Sequence, residues 1–145
     1  MRHTSMRNVM VVDSHPAVQA GLRSILLASS QLRTTIYEAH GCMEARRLLD
    51  IGLVFDLIVL ELALPDGSGL DLLDTMMDDP AMAPVLVLSG EEDAQLKQAA
   101  LLRGIAAFLP KSSSVQTIAA AVQDIVWRSS PPPAGGSHDL QLCAQ

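Results

Sequence analysis

The sequence has few aromatic residues, few cysteines and no long apolar run. Aromatic residues make up 3% of the 145 residues, so any hydrophobic core is built from aliphatic side chains and methionine. Cys42 and Cys143 lie far apart without metal-ligand spacing, which excludes a disulfide framework and a zinc site. No apolar run is long enough to span a membrane, and none follows the polar first residues as in a signal peptide. We therefore expect a cytoplasmic protein without a membrane partner.

Basic residues are absent between Arg47 and Lys97. The acidic residues of that stretch are Asp50, Asp56, Glu61, Asp66, Asp71, Asp74, Asp78, Asp79, Glu91, Glu92 and Asp93. The whole chain has a formal net charge of −6, which argues against nucleic-acid binding by this domain. Most of these carboxylates are expected on a solvated surface, and the alternative is that a few of them face a cation or a basic partner.

Short apolar runs alternate with segments of helical period, and hydrophobic residues make up 49% of the chain. The apolar runs predict strands over residues 8–12, 34–39, 57–60, 85–88 and 106–109. Between and after them we expect helices, whose inward faces carry residues spaced three or four apart. In the first helix this face is Val18, Leu22, Ile25 and Leu26, and in the last it is Val115, Ile118, Val122 and Ile125.

Local signals predict where several of these helices begin. Pro16 suits the first turn of the first helix, and Ser112 to Ser114 supply an N-cap for the last. Glu91, Glu92 and Asp93 are expected in the first turn of the fourth helix, where acidic side chains favour the helix dipole. Residues 65–69 have the composition of a turn.

Unbroken apolar strands are typical of a parallel sheet whose two faces are covered by helices. Five strand–helix units with right-handed crossovers predict an α/β fold, a flavodoxin-like (βα)5 doubly wound sheet in the order 2-1-3-4-5. We expect a flexible segment over residues 1–7, this domain over residues 8–128, and a linker rich in proline, glycine and serine over residues 129–145.

Polar residues follow or end four of the predicted strands. They are Asp13 and Ser14 after the first strand, Glu61 after the third, Ser89 at the end of the fourth and Lys111 after the fifth. Because the carboxyl ends of parallel strands meet at one edge of a sheet, we expect these side chains to converge there. His15 is interpreted as a loop residue beside the start of the first helix rather than as a ligand.

Four segments with these residues resemble the motifs of the receiver domain of bacterial two-component response regulators. They are VVDSHP at 11–16, LELALPDGSG at 60–69, VLSG at 87–90 and FLPKS at 108–112. The resemblance covers about residues 7–128. The His15-Pro16 pair and the run of serines after Lys111 are most similar to the NarL/FixJ-type subfamily, whose members carry a helix-turn-helix output domain.

The resemblance implies a chemistry for the edge of the sheet. In the family, an aspartate after the third strand accepts a phosphoryl group, acidic residues after the first strand hold Mg²⁺, and a hydroxyl and a lysine bind the phosphoryl oxygens. The resemblance implies that Asp13, Ser89 and Lys111 keep these roles. It also places Phe108 at the position of an aromatic switch residue, so the switch residues are Ser89 and Phe108.

Two positions depart from the family pattern. Glu61 stands at the phosphoacceptor position, with its carboxylate about 1.5 Å further from the backbone than that of an aspartate. Ser14 replaces the second acidic metal ligand, and Mg²⁺ prefers charged oxygen ligands in strict geometry. We therefore expect Asp13 and Glu61 to form a weak Mg²⁺ site at most, and predict no other cofactor.

The leading hypothesis is a pseudo-receiver, not an enzyme, that acts by dimerisation or protein contacts without conventional aspartyl phosphorylation. Its Glu61 would contact Lys111 or Ser89 and hold an active-like state, or would form only a local salt bridge. The alternative is a Mg²⁺-dependent receiver that a sensor histidine kinase still phosphorylates. A flavin- or nucleotide-binding enzyme is disfavoured because the turn at 13–16 has no glycine-rich phosphate cradle. We expect a homodimer, with a DNA-binding output domain beyond the linker if the full-length protein is longer.

Overall fold

Strands and helices alternate along the chain in a computed structural model, which describes residues 6–28, 33–90 and 93–129. The elements within these ranges are β1 (Met6–Val12), α1 (Pro16–Ala28), β2 (Arg33–Ala39), α2 (Cys42–Asp50), β3 (Leu57–Leu60), β4 (Ala63–Leu64), β5 (Gly67–Ser68), α3 (Gly69–Met77), β6 (Val85–Ser89), α4 (Ala94–Leu101), β7 (Ala107–Pro110) and α5 (Val115–Ser129). In the described part of the chain, no helix is long and apolar enough to cross a membrane.

Five of these strands form one parallel sheet in the order β2-β1-β3-β6-β7. Counted without the two short strands, this is the order 2-1-3-4-5, so the predicted flavodoxin-like fold is confirmed. The short strands β4 and β5 pair antiparallel with each other, where the sequence predicted only a turn. The hairpin lies between β3 and α3, directly after Glu61.

The sheet separates two layers of core side chains, because successive residues of each strand point to opposite faces. One layer contains Met10, Val12, Ile58, Leu60, Val85 and Val87, packed against residues of α2, α3 and α4. The other contains Val9, Val11, Leu57, Val59, Leu86 and Leu88, packed against residues of α1 and α5. The central strands β3 and β6 are buried at every position, as the unbroken apolar runs predicted.

Two predictions about burial were wrong. Val115 was expected on the inward face of the last helix, but it is 62% exposed, because it is the first residue of α5 and precedes the turns that cover the sheet. β7 was expected to be buried on both faces, but its residues are only half-buried, since it forms the edge of the sheet. The other inward residues predicted for α5, Ile118, Val122 and Ile125, are buried.

The helix starts were predicted with mixed success. Ser114 Oγ accepts a hydrogen bond from Thr117 N at 3.1 Å, which confirms a serine N-cap for α5. Asp93, however, is the N-cap of α4 rather than a residue of its first turn, and its carboxylate accepts from Gln95 N at 2.8 Å. Glu91 and Glu92 lie outside the described residues.

The observed elements extend slightly beyond the predicted domain. β1 begins at Met6, two residues before the predicted strand, and pairs with β2 from its first residue. α5 continues to Ser129, the first residue of the predicted linker. The rest of that linker, residues 130–145, and the first five residues of the predicted flexible segment lie outside the described residues.

Asp66 caps helix α2 from a distant part of the chain. Asp66 Oδ1 accepts from Cys42 N at 2.7 Å, and Oδ2 accepts from Met43 N at 3.0 Å. The N-cap residue itself is Gly41, which has no side chain that could accept these hydrogen bonds. A Cβ atom at Gly41 would lie 2.5 Å from Asp66 Oδ1, so the close approach requires glycine. The N–H groups of Met43 and Cys42 lower the pKa of the Asp66 carboxyl. The cap ties the segment after β3 to α2.

We expect Asp66→Ala to lower the melting temperature at pH 7, because two N–H groups at the start of α2 lose their acceptor. Since the pKa of Asp66 is held below its ordinary value of 3.8, this stabilisation is present above that pH and lost as the pH falls below it. The difference in melting temperature should therefore shrink in acid. Asp78→Ala is the matched control, because Asp78 follows α3, where a carboxylate does not favour the helix dipole. An equal loss in both variants would contradict the capping role.

Candidate functional site

The predicted polar residues converge at the carboxyl edge of the sheet, and backbone hydrogen bonds hold three of them in place. Asp13 N donates to Ala39 O at 3.0 Å, and Glu61 N donates to Val12 O at 3.0 Å. Lys111 N donates to Ser89 O at 2.9 Å. Each bond continues the pattern of the neighbouring strands by one residue, so the sheet itself fixes the positions of these residues.

An ion bridge joins three of these side chains. Lys111 Nζ lies 2.7 Å from Asp13 Oδ2 and 2.7 Å from Glu61 Oε1. The side chains of Asp13 and Glu61 are each 3% exposed, and that of Lys111 is 16% exposed. Two carboxylates that are almost completely buried therefore share one ammonium group, which offsets the cost of removing their charges from water.

The Glu61 carboxylate is surrounded by donors. Oε2 accepts from Leu62 N at 2.6 Å and Ala63 N at 3.2 Å, and Oε1 accepts from Gly90 N at 3.2 Å in addition to Lys111. Burial by itself raises the pKa of Glu61, but the hydrogen bonds from Lys111 and from these N–H groups outweigh it and lower the pKa. Glu61 is therefore charged at neutral pH, with both oxygens engaged.

Lys111 is held in its charged form by the same contacts. Burial lowers the pKa of its ammonium group, but the hydrogen bonds to Asp13 and Glu61 have the larger combined effect and raise the pKa above its ordinary value of 10.5. The stabilisation from this shift is present below pH 10.5 and lost as the pH rises above the folded-state pKa. Lys111 and Glu61 are thus both charged throughout the neutral range.

His15 belongs to this cluster, which the sequence did not predict. It is a loop residue beside α1, as expected, but Asp13 Oδ1 accepts from His15 N at 2.8 Å and lies 2.8 Å from His15 Nδ1. The same ring nitrogen lies 3.2 Å from Lys111 Nζ. The spacing of Asp13 and His15 could have indicated their backbone contact, because an aspartate commonly accepts a hydrogen bond from the N–H group two residues further on.

The remaining predicted residues lie around the bridge. Ser89 is completely buried at the end of β6, and its carbonyl group anchors Lys111 N. Ser14 is half-buried between Asp13 and His15. Phe108 is half-buried in β7, where it packs against the core layer under α4, and Lys97 Nζ lies 5.8 Å from the centre of its ring. The proposed switching roles of Ser89 and Phe108 stay predictions.

The donor set does not suit Mg²⁺. Octahedral Mg²⁺ requires several oxygen ligands at short and regular distances. Here an ammonium group stands between the two carboxylates, and Ser14 offers a neutral hydroxyl group. Among the described residues, no group of three or more histidine, cysteine, aspartate or glutamate side chains is arranged to hold a metal ion.

We expect Lys111→Met to lower the free energy of unfolding at pH 7 by roughly 3–5 kcal/mol, because it leaves two buried carboxylates without a counter-charge. The pKa of Glu61 should rise, so the variant should gain stability as the pH falls through that raised pKa. The wild-type protein should instead lose stability below the ordinary pKa of 4.5 as Glu61 is protonated. Urea denaturation across this pH range and carboxyl ¹³C NMR measure both effects.

Lys97→Met is the control for this variant, because Lys97 is exposed and contacts only the face of Phe108 among the interactions described above. It should cost less than about 1 kcal/mol at pH 7. Similar losses in the two variants would show that the bridge has no special role in stability.

Comparison with known proteins identifies the family of this domain. The family model of the response regulator receiver domain matches residues 9–123. FixJ of Azorhizobium caulinodans, a transcriptional regulatory protein, is 35% identical over 123 residues, which are 83% of this chain and 56% of that protein. KdpE of Escherichia coli, which regulates transcription of the KDP operon, is 30% identical over 133 residues, or 89% of this chain and 55% of that protein. The chain thus spans about half the length of these relatives.

Solved structures show the same fold. A LuxR-family two-component response regulator from an Aurantimonas species superposes with a TM-score of 0.74 at 24% identity, covering 86% of this chain and 87% of the other. The non-phosphorylated HemR receiver domain of Leptospira biflexa superposes with a TM-score of 0.75 at 25% identity, covering 88% and 98%. With the family match over most of its length, the chain belongs to the response regulator receiver domain family.

Proposed function

We propose that this chain is an atypical receiver domain that regulates a transcriptional output without conventional aspartyl phosphorylation. The observation that carries the proposal is the ion bridge, in which Lys111 Nζ lies 2.7 Å from oxygens of both Asp13 and Glu61. The ammonium group already neutralises part of the negative charge that would otherwise attract a metal ion. A divalent cation would have to displace Lys111 or share both carboxylates with it.

The geometry of Glu61 also opposes efficient phosphoryl transfer. Its carboxylate extends about 1.5 Å further than that of an aspartate, and an error of ~1 Å at the reacting atoms can cost ~100-fold in rate. Both oxygens accept hydrogen bonds, from Lys111 and Gly90 at one and from Leu62 and Ala63 at the other. An oxygen that attacks phosphorus must first lose some of these donors.

The same contacts suggest how the domain would hold one state. Glu61 joins the segment after β3, through Leu62 and Ala63, to Gly90 at the end of β6. Its negative charge is permanent at neutral pH, whereas a phosphoryl group is transient. In this proposal the bridge keeps the carboxyl edge of the sheet in a fixed arrangement, and the domain signals through the surfaces that this edge supports.

The competing hypothesis is that Glu61 still accepts a phosphoryl group from a sensor histidine kinase. Its support is that a carboxylate is retained at the end of β3 beside Lys111. The two hypotheses differ in what a phosphoryl donor does to the mass of the protein.

We expect no gain in intact mass when the wild-type protein is incubated with Mg²⁺ and a small acyl-phosphate donor. The matched control is the double variant Ser14→Asp, Glu61→Asp, which restores a second acidic ligand and a shorter carboxylate, and should gain one phosphoryl group. The single variants assign the effect to one position. A phosphoryl adduct on the wild-type protein would contradict the proposal, and so would wild-type Mg²⁺ binding as tight as that of the double variant.

What the relatives do supports a proposal about the partners of this domain. The curated relatives named above are transcriptional regulators of about twice this length, so we propose that the receiver domain acts on a helix-turn-helix output domain in a longer protein. DNA contact would then belong to that domain, in keeping with the net charge of −6. A sensor histidine kinase would be a partner only under the competing hypothesis.

We also propose that the domain forms a homodimer through one of two faces. Leu101, Leu102 and Trp127 are exposed on α4 and α5. On the other side, an apolar groove of about 280 Å³ between α1 and α5 is lined in part by Val18 and Val115.

Sedimentation velocity over a range of protein concentrations tests the dimer. We expect either Leu102→Glu or Val115→Glu, but not both, to raise the dissociation constant at least about tenfold, because a charge at the centre of an interface is costly. Each variant serves as the control for the other, since both replace an exposed apolar side chain. A wild-type protein that stays monomeric would contradict the dimer, and two variants without effect would exclude these faces.

A further inference from the structure

A cavity of about 390 Å³ lies at the amino edge of the sheet, opposite the Asp13–Glu61–Lys111 bridge. It is lined by the end of α2, the segment that leads into β3, the last turns of α3 and the segment that leads into β6. Its volume is in the range of pockets that hold small ligands or a large side chain, roughly 300–1,000 Å³. Nothing in the function proposed above uses it.

Apolar and polar groups line the cavity to a similar extent. Phe55, Ile58 and Met76 line it from the hydrophobic core and are buried. Val54, which also lines it, is 77% exposed, and Ile51 and Met77, next to lining residues in the chain, are exposed as well. Exposed apolar side chains beside a pocket that reaches core residues are typical of protein-binding surfaces.

The charged side chains that line this cavity are acidic, whereas the nearby Arg7 and Arg103 are paired with Asp56 and Asp74. Asp50 and Asp79 line the cavity, and no lysine, arginine or histidine does. Helices α2 and α3 both end here, at Asp50 and Met77, and the carboxyl end of a helix carries a partial negative charge. The exposed Asp78 adds a further carboxylate just beyond α3.

We propose that this cavity binds a basic amphipathic helix of a partner protein. A bulky apolar side chain of that helix would fill the space above Phe55 and Ile58, and further apolar residues of its face would cover Val54. Lysine or arginine side chains beside the apolar face would lie against Asp50 and Asp79. A helix in an apolar groove is a common mode of peptide recognition, and charge complementarity favours a helix with basic rather than acidic side chains here. The proposal does not depend on whether Glu61 accepts a phosphoryl group.

The test uses a defined probe, a fluorescein-labelled peptide of about 18 residues, long enough to form a helix, with leucines and one tryptophan on one face and lysines on the other. A matched peptide carries glutamate in place of every lysine. Fluorescence anisotropy measures affinity for the whole chain, and ¹H–¹⁵N NMR shows which amides respond. We expect the lysine peptide to bind and to shift amides around Phe55, Met76 and Met82, and the glutamate peptide not to bind.

Charge variants test the rim of the cavity. Asp50→Asn with Asp79→Asn should raise the dissociation constant roughly 3- to 10-fold at low salt and less at high salt, because exposed charges are screened. Asparagine retains an oxygen that can accept the bond from Ala81 N, which Asp79 now accepts at 2.8 Å. Asp124→Asn is the matched control, since it removes a charge from α5 on the other side of the sheet.

An apolar variant tests the margin. Val54→Lys should weaken binding more than Leu27→Lys, although both replace exposed apolar residues. The proposal is overturned if the lysine peptide shifts amides over the acidic surface at large, if the glutamate peptide binds equally well, or if the charge variants bind like Asp124→Asn. It is also overturned if Val54→Lys converts a dimer to a monomer without any peptide, because the occupant is then a second copy of this chain.

Discussion

The contact on which the site depends is the sharing of one ammonium group by two buried carboxylates. Asp13, Glu61 and Lys111 follow three different strands, and the strand order β1-β3-β6-β7 brings them together. Any one of these charges would be expensive to bury alone, and the bridge removes most of that cost only when the whole sheet is formed. The site and the fold are therefore mutually dependent.

Glu61 gives this edge of the sheet a different character from one built around an aspartate. Its longer side chain reaches Lys111 and Gly90 while its other oxygen bonds to the N–H groups of the following residues. The carboxylate thus connects three segments at this edge of the sheet. An aspartate at this position would carry the same charge about 1.5 Å closer to the backbone.

The two ends of the sheet differ in chemistry because all five strands are parallel. Strand carboxyl ends gather the polar residues of the bridge, and the cap of α2 by Asp66 fixes the hairpin segment beside them. The carboxyl ends of the helices lie at the amino ends of the strands, where α2 and α3 leave a cavity lined by apolar and acidic side chains. The parallel topology therefore produces two surfaces of different composition at the two ends of the sheet.

By itself the sequence determined the strands, the parallel order and the identity of the bridge residues, since apolar runs and helical spacing are local patterns and strand ends share one edge. Tertiary structure alone decided that Lys111 binds both carboxylates and contacts His15, and that Asp66 caps α2. These contacts join residues 23 to 98 positions apart, from Asp66 with Met43 to Lys111 with Asp13. Their geometry depends on packing between segments, which no local pattern encodes. The exposure of Val115 and the half-burial of β7 have the same origin, because position within the layers decides burial there.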